Sequence, residues 1–247
     1  MLLQPTLEKL KNMKFHGMAK AFEEQLNSSD FDSLSFAERL GLLVDRELSD
    51  RENDRLALRL KQARLRQQAC IEDIDYQQPR GLDKSQIRQL STCQWIKEHL
   101  NVLICGPTGA GKSYIACALG HKACLEGFKV QYQRALRLFR ELAVARGDGR
   151  YSKLMNAMAK TDLLIIDDWG LGTLNHQERQ DLLEIMEDRH GLRSTIVAGQ
   201  LPVDHWHEII GNHTLADAIL DRLVHNAYQI KLKGESMRKK KAKKPLD

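Results

Sequence analysis

Gly106-Pro107-Thr108-Gly109-Ala110-Gly111-Lys112-Ser113 fits the spacing G-x-x-x-x-G-K-[ST] at every defined position, and its surroundings decide the fold. Val102-Leu103-Ile104-Cys105 before it is a short apolar run of strand type, and Tyr114 to Leu125 after it has helical spacing. The loop is therefore expected at a strand-to-helix turn. Glycines at 106, 109 and 111 let the backbone bend tightly and aim its N–H groups at an anion, while the helix N-terminus adds a partial positive charge. With Lys112 reaching the β- and γ-phosphates and Ser113 offering its hydroxyl to Mg2+, the stretch implies a bound nucleoside triphosphate, ATP or GTP.

Asp162-Leu163-Leu164-Ile165-Ile166-Asp167-Asp168 is an apolar run ending in two carboxylates, the way a central parallel strand delivers acids to the carboxyl edge of a sheet. Beside a phosphate loop, Asp167 is expected to serve Mg2+ through its water shell and Asp168 to polarise the attacking water. Strands are expected near 101–105, 129–133, 163–167, 195–199 and 227–232, with helices near 112–126, 135–146, 152–160, 176–190 and 214–225. Such alternation implies an α/β fold with a five-stranded parallel sheet. Asn175 with Glu178, and Thr214 with Asp217, have the spacing of capping boxes. Ser194 to Gly199 would bring Gln200 beside the acid-bearing strand, where its amide could meet the γ-phosphate or the water. Arg222 closes a later helix and is hard to aim at the molecule's own nucleotide. It suits a neighbouring subunit's site, or else a surface ion pair with Asp221 or Asp217.

Residues 1–68 lack strand signals and carry helical spacing, so an all-helical N-terminal domain is expected there. Arg51, Arg55 and Arg59, followed by Lys61, Arg64 and Arg66, form either a stripe along DNA phosphates or a solvated helix face. Pro79 and Gly81 mark a linker over 69–85, before a nucleotide-binding domain over 86–237 and a basic tail over 238–247. That tail holds six cations, Arg238, Lys239, Lys240, Lys241, Lys243 and Lys244, so the rest of a chain of net charge +5 is near neutral (+5 − 6 = −1). The tail is either a solvated end or a nonspecific phosphate contact. Five cysteines without a C-x-x-C pair argue against a disulfide framework or a zinc knuckle and for a reducing, cytoplasmic setting. No bilayer-length apolar segment is present, so no membrane partner is expected. His205, His207 and His213 offer an H-x-H without a thiol or a placed acid, and read as exposed or packed imidazoles.

With both nucleotide motifs, a polar residue after the next strand and an arginine on the following helix, the chain resembles the AAA+ ATPases. The wording LLIIDDWG, GQLPVDHWHEIIG and LADAILDRLVHNAYQIKLKGESMR is similar, more narrowly, to the IstB-type transposition helpers of insertion sequences, relatives of DnaC-type helicase loaders. The resemblance covers nearly the whole chain. It implies an ATP- and Mg2+-dependent ATPase that assembles as a homo-oligomer, ring or filament, on duplex DNA, helps select a target site and stimulates a transposase of the same element. By that resemblance Lys112, Ser113, Asp167 and Asp168 are the nucleotide motifs, Gln200 the polar sensor, Arg222 the arginine supplied in trans and Arg238 a second sensor. Where AAA+ enzymes usually carry glutamate this chain has Asp168, one methylene shorter, which implies slow turnover suited to a switch. After the last strand, expected to end near Leu232, fifteen residues remain (247 − 232), too few for a helical lid domain. The extra helical segment after the second strand holds Arg134, Arg137, Arg140, Arg146, Arg150 and Lys153, the candidate DNA contacts. Basic side chains without a base-reading motif imply phosphate contact and little sequence preference. The rival readings are a replicative helicase loader and, from another class, a small-molecule P-loop kinase, which needs an acceptor pocket and a lid not seen in the sequence.

Overall fold

A computed structural model describes residues 3–237. Two compact units divide between Leu58 and Arg59, earlier than the boundary expected after residue 68. The first holds helices α1 (Leu3–Asn12) and α2 (His16–Asn27) and most of α3 (Phe36–Ala63). There α2 meets α3 closely: a Cβ at Gly17 would stand 2.8 Å from the Glu47 Cα, and Gln25 donates to the Arg39 carbonyl. Arg51 turns onto Glu47 at 2.6 Å and over the Phe15 ring, so it is held by its own unit rather than presented as a free stripe.

The second unit begins with α4 (Lys84–Ser91) and α5 (Gln94–Lys97), then alternates β1 (Asn101–Cys105), α6 (Lys112–Leu125), β2 (Val130–Arg134), α7 (Ala135–Gly147), α8 (Tyr151–Ala159), β3 (Leu163–Trp169), α9 (His176–Arg189), β4 (Ser194–Gly199), α10 (Trp206–Ile210), α11 (His213–Val224) and β5 (Ala227–Lys231). The strands pair in parallel in the order β2-β3-β4-β1-β5. β1 and β4 are buried along their whole length, as strands covered on both faces must be. One face carries α6, whose Gly120 sits so close that a Cβ would come 2.7 Å from Ile165 Cδ1. On the other, Leu138 and Leu142 of α7, Met158 of α8, Leu182 and Ile185 of α9, and Ile219 and Leu223 of α11 close over Leu103, Leu164, Ile166 and Val197. Truncating one of these leucines to alanine costs about 2–5 kcal/mol in such cores.

At the amino edge of the sheet, Arg189 is 1% exposed and fully engaged. Its Nε donates to Thr195 Oγ1, Nη1 to the Met158 and Thr161 carbonyls and Nη2 to the Ser194 carbonyl, tying α8, α9 and β4 together. Asn175 and Glu178 form the expected capping box on α9. On α11 the expected Thr214–Asp217 box is replaced by Asn212, whose side chain accepts from Leu215 N at 3.0 Å, because the helix starts at His213. Residues 64–83 contain no helix or strand, yet Ala69, Ile74 and Arg80 are buried, so the stretch expected to be a linker packs as part of the second unit. No helix among the described residues is long and apolar enough to cross a membrane.

Candidate nucleotide site

Strand order assembles the site. β4 lies between β1 and β3, so the loop after β1, Gln200 after β4 and the acids ending β3 share one edge of the sheet. Within the loop Gly109 (φ 83°) and Gly111 (φ 100°) adopt left-handed backbone. A Cβ at Gly111 would also lie 2.5 Å from Arg80 Nη1, and one at Gly109 would run into Ser236. Thr108 is exposed and Ala110 buried, while Gly106 and Pro107 turn their carbonyls to Lys112 Nζ at 2.8 and 2.9 Å. Ser113 falls in the first turn of α6. The chain after β5 runs along the loop: Leu232 N donates to the Cys105 carbonyl and Met237 N to the Gly109 carbonyl. Arg238 and the basic tail lie outside the described residues.

The two acids differ sharply. Asp167 is 1% exposed; its Oδ2 accepts from the Tyr132 hydroxyl at 2.5 Å and its Oδ1 from Asp168 N at 2.8 Å. Burial, and then the bond to Asp167, push the Tyr132 phenol well above its ordinary value, which keeps it a donor. Asp168 stands where the β3–β4 register shifts, between Ile166 and Trp169, and takes φ 58°. Its Oδ2 accepts from Arg134 Nε at 2.7 Å and Arg66 Nη1 at 3.2 Å. A water approaching this carboxylate competes with two guanidinium groups. Gln200, exposed, follows β4 directly.

Arg222 lies at the opposite edge. Its carbonyl accepts from Asn101 Nδ2 at the start of β1, and its guanidinium pairs with Glu187 at 2.9 Å rather than with Asp221 or Asp217. The candidate DNA contacts separate into two groups. Arg134 is bound to Asp168, and Arg146 is bound to the buried Asp181 and stacked on the Tyr151 ring at 3.8 Å, so both of these exposed arginines already hold a carboxylate. Arg137, Arg140 and Arg150 line one open cleft with Arg64; Arg137 is paired with Glu141 and Arg150 with Asp148. Lys153 is exposed on α8. Arg59, expected in the N-terminal stripe, instead donates to the Cys124 carbonyl at 2.9 Å. His207, His213 and Asp217 bring ligand atoms within 4.8 Å of one another, a loose and solvent-facing group in which His207 pairs with Asp217.

The sequence does not single out Arg66, Arg80 or Tyr132 at this site. Nothing local marks Arg66, which meets Asp168 across 102 residues. Tyr132 carries one usable sign, a polar-tipped aromatic on a strand beside the acid-bearing one. Arg80 carries none, since Pro79 and Gly81 on either side of it read as a linker.

The family described as IstB-like ATP binding protein matches residues 8–245. The chain is 57% identical over 244 residues to the insertion-sequence ATP-binding protein y4pL of Sinorhizobium fredii, covering 99% of this chain and 100% of the relative. In fold it is similar to the crystal structure of DnaI (TM-score 0.58, 18% identity, 67% of this chain and 91% of that one). It is also similar in fold to the DnaC helicase loader (TM-score 0.52, 19% identity, 66% and 97%). A phosphate loop set beside paired acids on one edge of a five-stranded parallel sheet, and a family match over almost the whole chain, make this protein a member of the IstB-like ATP-binding proteins, an ATPase of the insertion-sequence type.

Proposed function

We propose that this ATPase is a transposition helper. Holding Mg2+ and ATP, it assembles with copies of itself on duplex DNA, assists target selection and stimulates the transposase of its element, and slow hydrolysis ends that state. The observation that carries this reading is the separation of Arg222 from the phosphate loop. β1 runs from Asn101, which holds the Arg222 carbonyl, to Cys105, which opens into the loop. Five residues of strand span roughly 13 Å between the first and last Cα. An arginine there cannot serve its own nucleotide and can serve a neighbour's, so hydrolysis requires assembly.

Ser113 and Asp167 would hold Mg2+, Asp167 through water; both are hard oxygen donors of the kind Mg2+ takes. The ion supplies charge neutralisation at the β- and γ-phosphates. Lys112 swings from the Gly106 and Pro107 carbonyls to those phosphates. Asp168, once Arg66 and Arg134 release it, accepts a proton from the water that attacks the γ-phosphorus, while the bond to the β-phosphate oxygen breaks and ADP departs. Gln200 orients that water. Arg137, Arg140, Arg150 and Lys153 hold DNA phosphates; Arg137 pairs with the half-buried Glu141 and Arg150 with the exposed Asp148, surface pairs weak enough to exchange.

A helicase loader has the same fold, but the match over 99% of the chain is with an insertion-sequence protein, which favours the helper. The test is binding to duplex DNA with and without ATP, and with and without the transposase of the same element. ATP-dependent binding that raises strand transfer is expected. Binding to a replicative helicase in place of the transposase would overturn it.

A further inference from the structure

Arg80 is buried, 6% exposed, and it lies against the outside of the phosphate loop. Nη1 donates to the Ala110 carbonyl at 3.1 Å and Nη2 to the Asp75 carbonyl at 2.7 Å. Its Nε is buried without a hydrogen-bond partner, and no carboxylate stands within ion-pair distance of the guanidinium, among the described residues. Burial draws its pKa down, with Asp75 and then Tyr76 opposing, yet a guanidinium keeps its charge. The backbone grips it as well: Arg80 N donates to the Gln78 carbonyl, and Lys233 N donates to the Arg80 carbonyl.

A buried charge without a counter-charge is costly unless something else supplies one. The loop it touches is where the phosphates of the nucleotide arrive. Gly111, left-handed and without a Cβ, leaves room for the Arg80 head directly behind the N–H groups that face phosphate. We propose that Arg80 is a nucleotide-binding residue that works from behind the loop, holding the Ala110 carbonyl outward and placing a positive charge beneath the bound phosphates. This rests on the loop being the ATP site. The unpaired guanidinium then completes its charge balance only in the loaded protein, and the segment from 64 to 83 becomes part of the nucleotide site. Contact at Ala110 and Gly111 puts its influence on the phosphates that ATP and ADP share.

The experiment measures Mg-ATP and Mg-ADP affinity by calorimetry on the full chain, for the parent, Lys112→Ala, Arg80→Gln and Arg80→Lys, with the thermal midpoint of each variant without nucleotide. Glutamine keeps a donor for a carbonyl but no charge; lysine keeps the charge. Arg80→Gln is expected to weaken both nucleotides about tenfold or more and by similar factors, as removal of a charged partner does. Arg80→Lys is expected to stay within about threefold of the parent, and decides the matter alone if the glutamine variant does not fold. Parental affinity in Arg80→Gln overturns the proposal, as does equal loss in a folded Arg80→Lys, or a loss that only follows a lowered midpoint. Absence of binding in the parent, or undiminished binding in Lys112→Ala, would instead show that the loop is not the ATP site and remove the ground on which Arg80 was assigned.

Discussion

The two edges of one sheet use their polar groups differently. At the amino edge the two polar side chains that tie the elements together are satisfied: Arg189 commits all three of its nitrogens to neighbours, and Asn101 bonds both the Arg222 and Leu223 carbonyls and Thr195 N, whereas His99 Nδ1 and Arg193 Nε nearby are buried without a hydrogen-bond partner. At the carboxyl edge, Gly106, Gly109, Gly111 and Asp168 all have positive φ, and Arg80 keeps a buried nitrogen unpaired. Left-handed backbone is concentrated in the loop where a ligand is to be bound, three glycines within six residues, whereas the large buried side chains of the amino edge spend their hydrogen bonds on joining elements. Arg222, on the rim of the same edge, pairs with the exposed Glu187, which leaves it available for the role in trans proposed above.

The largest expected effect is at the carboxyl edge. Lys112→Ala removes the loop's cation, and tight ATP binding should disappear in calorimetry; retained affinity would show that this edge is not the nucleotide site. Asp168→Asn is nearly isosteric, and asparagine tolerates the left-handed backbone found there. It should keep ATP binding and lower hydrolysis by roughly 10²- to 10⁴-fold, whereas parental turnover would remove Asp168 from the chemistry.

The amino edge should answer in stability instead. Arg189→Met strands the Met158, Thr161 and Ser194 carbonyls and should cost about 3 kcal/mol or more in denaturant unfolding. ATP affinity of the folded fraction should not change. A loss of ATP affinity without a loss of stability would erase the distinction between the edges.

Much of this contrast is written locally in the chain. Gly106 to Ser113 and Leu163 to Asp168 each carry their reading within eight residues or fewer, because a phosphate loop and a buried strand are made by neighbours. Asn175 and Glu178 likewise cap a helix three residues apart. What stays hidden depends on tertiary approach. Arg66 and Arg134 belong to different segments and meet only at Asp168, and Arg59 has the spacing of a surface stripe although α6 offers it a carbonyl. Arg146 resembles a DNA contact in sequence because its partner, Asp181, is 35 residues away on α9. The stretch from 64 to 83 has the look of a linker for want of periodicity, although irregular backbone can be as buried as a helix when Ile74 and Arg80 anchor it.

The smallest expected effect concerns DNA. Replacing Arg137, Arg140 and Arg150 by alanine should reduce the slope of log affinity against log salt by up to about 0.9 for each phosphate that is no longer neutralised. A truncation after Met237 has to be measured beside it. If the truncation removes the whole salt dependence and the triple substitution none, DNA is held by the tail and not by α7 and α8.

The central claim is that one edge supplies the nucleotide and the other supplies Arg222 to a neighbour. Mixing Arg222→Ala with Lys112→Ala tests it most directly, since each variant retains the edge the other lacks. ATP hydrolysis on duplex DNA should rise in the mixture above the sum of the two variants measured alone. Hydrolysis that stays at that sum across all mixing ratios would contradict a site shared between subunits.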